Sequence, residues 1–162
     1  MKANSEWLGV RLLCQVSGAA SPSNKLKRIS ILFSNQGVLS MKILKLEDIE
    51  AKEVSKDPLF FGGKVTTQFV LEEEHKGQKL QIVLVRFAAG ARNKLHTHST
   101  EQILVVTEGK GIIATKDQEH IVTPGMIAFI SPSEEHWHGA TKDSSFAHLS
   151  IIGQPNEMRI VK

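Results

Sequence analysis

The sequence is poor in the features that mark several familiar classes of protein. Its single cysteine, Cys14, excludes a disulfide within the chain and points to a reducing, cytoplasmic setting. No apolar run approaches the roughly 18 residues that a membrane-spanning helix needs. Helical spacing of apolar residues nowhere persists beyond two turns, except in "LEDIEAKEVSK". Nor is there a surplus of one charge where it would matter. The formal net charge of +3 resides in residues 1–40, which carry a net +4, whereas the rest of the chain carries a net −1. The body therefore has no electrostatic footprint for phosphates, and neither nucleic acid nor a membrane is an expected partner.

The basic first 40 residues carry few signals. "WLGVRLLCQVSGAASPS" has the outline of a secretory leader, but Arg11 interrupts its apolar stretch and Glu6 precedes it. "MKILKLEDIEA" reads like a natural beginning, with a short strand followed by an acidic turn. We therefore expect residues 1–40 to be a flexible extension or an over-long start, and residues 41–162 to form one domain. A chain of 162 residues is long enough to close a single core.

What is present is a series of strand-like runs. "TTQFVLEEE", "KLQIVLVRFA", "QILVVTEG", "GIIATK", "HIVTPG", "MIAFIS" and "SFAHLSIIG" follow one another at short intervals, rich in β-branched residues and separated by Gly or Pro. This pattern predicts an all-β sandwich or barrel of two antiparallel sheets. "TKDQEH" reads as a polar hairpin turn. "TTQFVLEEE" reads as an edge strand open to pairing with a second copy.

Within this frame, "HTHSTEQILVVTEGKG" places His96 and His98 at i and i+2, on one face of a strand, where two imidazoles can converge on a divalent metal. His136 and His138 repeat the spacing in "EEHWHGA". After His98, both Glu101 and Gln102 can supply a fourth ligand, and alternation does not separate them because both faces of "QILVVTEG" are apolar. Arg86 interrupts an apolar run. It can either bind a substrate carboxylate inside the barrel or extend along an outer face, and the outer face is the better reading. Trp137 is expected at the barrel mouth or against a partner subunit, and His75 and His120 in solvated turns.

The spacing Gly90, His96, His98, Gln102, Gly109 resembles the first motif of the cupin family, with Gln102 where that motif usually carries glutamate. "PGMIAFISPSEEHWHGA" resembles the second: Gly125 and His136 match, while Ser131, Ser133 and Ala140 stand where Pro, Gly and Asn are usual. The resemblance implies a cupin-type double-stranded β-helix, or jelly-roll barrel, with His96, His98, Gln102 and His136 around one metal. Manganese is the first expectation, with iron, nickel or zinc as alternatives. "GARNKLHTHSTEQILVVTEGKG", "EEHWHGA" and "AHLSI" are closer still to cupins associated with carboxymuconolactone decarboxylase and to bacterial cupin hydroxynitrile lyases. That likeness implies two further cavity histidines, His138 and His148.

His138 then serves as general base or as an orienting partner, and His148 as a catalytic group or a satisfied core histidine. The leading expectation is a metal-dependent, lyase-type enzyme acting on a small organic substrate and assembled as a homodimer or homotetramer. The alternatives are an iron-dependent dioxygenase and a non-catalytic ligand-binding or sensory protein.

Overall fold

The computed structural model describes residues 43–71 and 79–162. Thirteen strands follow in chain order: β1 (Lys52–Glu53), β2 (Phe60–Phe61), β3 (Val65–Leu71), β4 (Leu80–Phe87), β5 (Arg92–Asn93), β6 (His96–His98), β7 (Gln102–Gly109), β8 (Gly111–Thr115), β9 (Glu119–Val122), β10 (Ile127–Ile130), β11 (His136–Ala140), β12 (Phe146–Gly153) and β13 (Met158–Ile160). They form two antiparallel sheets. One runs β1-β3-β4-β12-β7-β10; the other runs β13-β6-β11-β5-β2, with β8 on the free side of β11 and β9 beyond it. This is the two-sheet, all-β architecture that the strand spacing predicts and the jelly-roll barrel that the cupin resemblance implies. Among the described residues no helix is long and apolar enough to cross a membrane.

The inner faces of the two sheets close one apolar core around Val83, Val85, Phe87, Leu104, Val106 and Phe146. Leu104, Phe87 and Phe146 are essentially solvent-free. Truncating any of them costs about 2–5 kcal/mol by loss of transfer energy and cavity formation. The core does not fill the barrel, and the space left at one end becomes the site described below.

The expected hairpin at "TKDQEH" is present: Thr115 N–H donates to Gln118 O at 2.9 Å, and Ala114 pairs with Glu119 across it. Two expectations for the start of the domain need correction. Residues 43–45 form no strand, and "LEDIEAKEVSK" makes only a single 3-10 turn, Leu46–Asp48. The helix is pre-empted by the sheet. The Gln68 side chain takes the carbonyls of Leu46 and Ile49 at 2.8 and 2.6 Å, and Lys52 and Glu53 pair with Thr67 and Thr66. For the same reason β3 is not a bare edge, since β1 covers its first half. Residues 1–40, Cys14, His75 and the last three residues of "TTQFVLEEE" lie outside the described residues.

Candidate metal centre

Register assembles the histidines. His96 and His98 lie on one face of β6, and β11 runs antiparallel beside it so that His136 stands directly opposite His96. The His96 and His136 ring centroids are 4.3 Å apart, and His96 and His98 5.0 Å. The three side chains are buried, and one nitrogen from each lies within 4.8 Å of the others. Gln102, the first residue of β7, reaches the same point from the facing sheet. Its Oε1 is 2.9 Å from His136 Nε2, and its Nε2 donates to Ser150 Oγ at 2.9 Å. Glu101 is exposed, so of the two candidates after His98 it is Gln102 that the fold turns inward.

The donor set suits a cation. His136 Nδ1 lies 2.9 Å from the carbonyl of Glu134 while Nε2 faces Gln102 Oε1, so an oxygen acceptor stands at each ring nitrogen. A neutral imidazole has only one proton to offer them. A second proton is disfavoured because burial lowers the His136 pKa, an effect only partly offset by Glu134. One lone pair is thus held against an oxygen, an arrangement that a shared metal ion relieves. Burial together with the neighbouring His136 pushes His96 down to about 3 and His98 to about 4, so both present neutral rings at pH 7. His98 Nε2 is buried and without a hydrogen-bond partner among the described residues.

The second histidine pair is separate. His138 Nδ1 lies 3.1 Å from His148 Nε2, with the rings edge to face at 4.7 Å. His148 is fully buried between Phe87 and Phe146, with centroids at 5.9 and 5.3 Å. Burial lowers its pKa to about 4, and burial followed by the His148 charge lowers that of His138 well below normal. Behind Phe146 stands Gly111, where an added Cβ would come within 2.4 Å of the phenyl ring.

Both histidine groups border one cavity of about 310 Å3, walled by Phe60, Phe69, Val83 and Val85 and by the polar side chains of Asn93, His96, His98, Gln102, His138 and Ser150. Its size is at the lower end for small-molecule sites. His138 faces this space, whereas His148 lies behind it and reaches the cavity through His138. Arg86 does not line it. Strand alternation turns Arg86 to the outer face of β4, where its guanidinium hydrogen-bonds Gln68 and pairs with Glu108 at 3.5 Å. The reading of Arg86 as an anchor for a substrate carboxylate is therefore withdrawn. His120 is exposed, as expected. Trp137 is half-buried on the outside of the second sheet, where Arg92 lies over its ring at 5.0 Å.

Three polar residues of the site carry no clear sequence signal. Asn93 accepts from the backbone N–H of His138 at 2.7 Å and turns its NH2 toward the His138 ring, 3.0 Å from Nε2. Ser150 shares the inner face of β12 with His148, and only that two-residue spacing hinted at it. Asn156 sits 3.0 Å from His98 Nδ1. Between β10 and β11, Ser133 adopts a left-handed φ of 65° where the resembled motif carries glycine, and its N–H donates to His98 O at 2.8 Å. The motif glycine at 109 (φ +69°) is needed for space as well, since a Cβ there would fall 1.9 Å from Ser145 O.

These features agree with the relatives of the chain. Residues 83–152 match the model of the Cupin domain. Over 69 residues the chain is 41% identical to an (R)-mandelonitrile lyase from Granulicella tundricola, and over 62 residues it is 36% identical to auxin-binding protein T85 from Nicotiana tabacum. These matches take in 41% and 38% of the chain but only 52% and 30% of the two relatives. A solved cupin-like protein from Thermotoga maritima superposes with a TM-score of 0.60 at 32% identity, covering 64% of this chain and 81% of that one. On motif, register and likeness together, the chain belongs to the cupin family.

Proposed function

We propose that the protein is a metal-dependent enzyme of lyase type that cleaves a small hydroxyl-bearing organic molecule, with a cyanohydrin as the first substrate to test. The observation that carries this reading is the meeting of two histidine groups in one cavity: three rings and an amide oxygen converging on a point, and a second pair joined by a hydrogen bond at the wall. Pure coordination does not need the second pair. The 41% identity with a mandelonitrile lyase over 69 residues supports the same reading.

His96, His98, His136 and Gln102 are the residues that would hold the metal, with manganese the first choice for a redox-neutral reaction. When bound, such an ion supplies Lewis acidity toward a substrate hydroxyl or carbonyl oxygen. The chain does the rest. The apolar wall formed by Phe60, Phe69, Val83 and Val85 excludes water and seats the organic part of the substrate. His138, facing the cavity, accepts the hydroxyl proton at a ring nitrogen as the carbon–carbon bond breaks, and later returns it to the leaving group. Its pKa is depressed by burial, so it takes that proton only when the departing group places negative charge nearby. His148 acts through His138, holding the ring and sharing the added charge across the 3.1 Å contact.

The test is metal analysis of the purified full-length protein beside an assay of benzaldehyde release from racemic mandelonitrile. Near-stoichiometric manganese with turnover is expected. Metal without turnover of any cyanohydrin, accompanied by oxygen consumption on an organic substrate with iron bound, would replace this reading by the dioxygenase.

A further inference from the structure

The three histidines of the centre are not held alike. His96 and His136 each direct Nδ1 at a backbone carbonyl two residues earlier, Lys94 O at 2.8 Å and Glu134 O at 2.9 Å. A carbonyl only accepts, so in the neutral His96 ring the proton sits on Nδ1 and the lone pair on Nε2, whereas His136 has the Gln102 Oε1 acceptor at its other nitrogen as well. His98 is different. Its Nδ1 faces the side-chain nitrogen of Asn156 at 3.0 Å. The orientation of that amide follows from its other side, where Asn156 Oδ1 accepts from the Ser99 N–H at 3.2 Å and stands 3.4 Å from Thr100 Oγ1. Ser99 N–H also donates to Glu157 O at 2.9 Å, and Thr100 Oγ1 to Gly153 O at 2.9 Å. Turning the amide over would set NH2 against the Ser99 N–H, donor against donor. The NH2 group therefore points at His98, whose Nδ1 must accept. The single proton of the neutral His98 ring then belongs on Nε2, the buried nitrogen that has no partner among the described residues.

We propose that Asn156 is a positioning residue which holds His98 in the opposite tautomer from His96 and so limits how tightly the centre takes a metal. The proposal rests on the reading of the three histidines as a metal site. With Nδ1 engaged by Asn156, Nε2 is the nitrogen left for coordination, and it carries a proton. Loading the ion moves that proton to Nδ1 and requires Asn156 to present its carbonyl there, at the expense of the Ser99 contact. β13 fixes this arrangement, because Met158 pairs with His98 and brings the preceding turn over the ring. A carboxylate at position 156 meets no such conflict, since it accepts from His98 Nδ1–H and Ser99 N–H at once. Groups that orient metal-bound histidines typically change affinity by about 10–100-fold.

Two measurements on the full chain test this. In chelator-treated, 15N-labelled protein at pH 7.5, long-range 1H–15N correlations report each histidine tautomer without any metal. We expect Nδ1–H for His96, Nε2–H for His98, and a switch of His98 to Nδ1–H in Asn156→Asp. Competition titration of Mn2+ or Zn2+ against a chelator should then give a Kd about 10-fold or more lower for Asn156→Asp. Asn156→Ala, which removes the donor and adds no charge, should gain less in the same direction and separates the tautomer effect from simple attraction by a carboxylate. His98 already in the Nδ1–H form in the metal-free wild type overturns the proposal, as does an unchanged or weaker Kd in both variants. If the tautomers are as expected and none of the three proteins binds metal, the failure falls on the metal reading, and with it on any control of metal affinity by Asn156.

Discussion

Five buried histidines border this barrel, and the two groups they form are built on different principles. The rings of His96, His98 and His136 come from adjacent strands of one sheet and stand among oxygen and amide partners. His138 and His148 lie deeper, one on each sheet, among the faces of Phe87 and Phe146; they are hydrogen-bonded to each other, and His138 also meets the Asn93 amide. The first arrangement brings one nitrogen of each ring toward a common point; the second leaves one proton to be shared between two rings. Under the proposed function the same side chain would serve coordination in one group and proton transfer in the other.

The sharpest way to break this contrast is to remove one ring from each group. His136→Ala should lower metal content from near one per chain to background, measured by elemental analysis, because it would delete one of the proposed ligands and the partner of Gln102. His138→Ala and His148→Ala should retain their metal, and at least one should lose about 100-fold or more in turnover, the usual contribution of a general base. Metal lost from either variant would move that histidine into the first group. Full turnover in both would leave the second group without a chemical role.

Acid should act on both groups together, through stability. In the unfolded chain His148 takes a proton below about pH 6.5, whereas in the fold it stays neutral down to about 4. Between those values the unfolded state binds the extra proton, so stability falls as pH falls. Above the window both states are neutral and the dependence vanishes. His148 alone, fully buried, accounts for about 3 kcal/mol across this range. A melting temperature of the metal-free protein that stayed constant from pH 7 to pH 4.5 would contradict this.

Smaller effects sharpen the boundary of the first group. Gln102→Glu should retain or tighten metal binding, since it adds charge at a position already turned toward the histidines. Glu101→Gln and Arg86→Ala should alter metal content and KM by less than about twofold, because both side chains lie outside the cavity and the Arg86–Glu108 pair is largely solvated.

These assignments also indicate how far the sequence could be read. His96 and His98 were legible because strand alternation is local, and His136 because its spacing follows the second motif. Gln102 was not separable from Glu101 by pattern. Ile103 and Val105 face outward yet are apolar, beside Leu149, Ile151, Ile127 and Phe129 on neighbouring strands, so neither face of β7 looked polar. Asn93 and Asn156 were invisible because long-range pairing, β5 on β11 and β13 on β6, brings them to the histidines. The seat of His148 behind His138 was equally hidden, since it depends on how two sheets face each other.

Gly111 and Phe146 bear on how this pocket can change over time. The phenyl ring occupies the space that a Cβ at position 111 would need, and the same ring supports His148. Gly111→Ala acquired alone would push the ring toward the buried pair and should be strongly destabilising. After Phe146→Ala, which removes the Cγ, Cδ2 and Cε2 atoms that the added methyl group would meet, it should cost much less. Positions 111 and 146 are therefore coupled: the cost of a side chain at one depends on what stands at the other, and the two substitutions should not add.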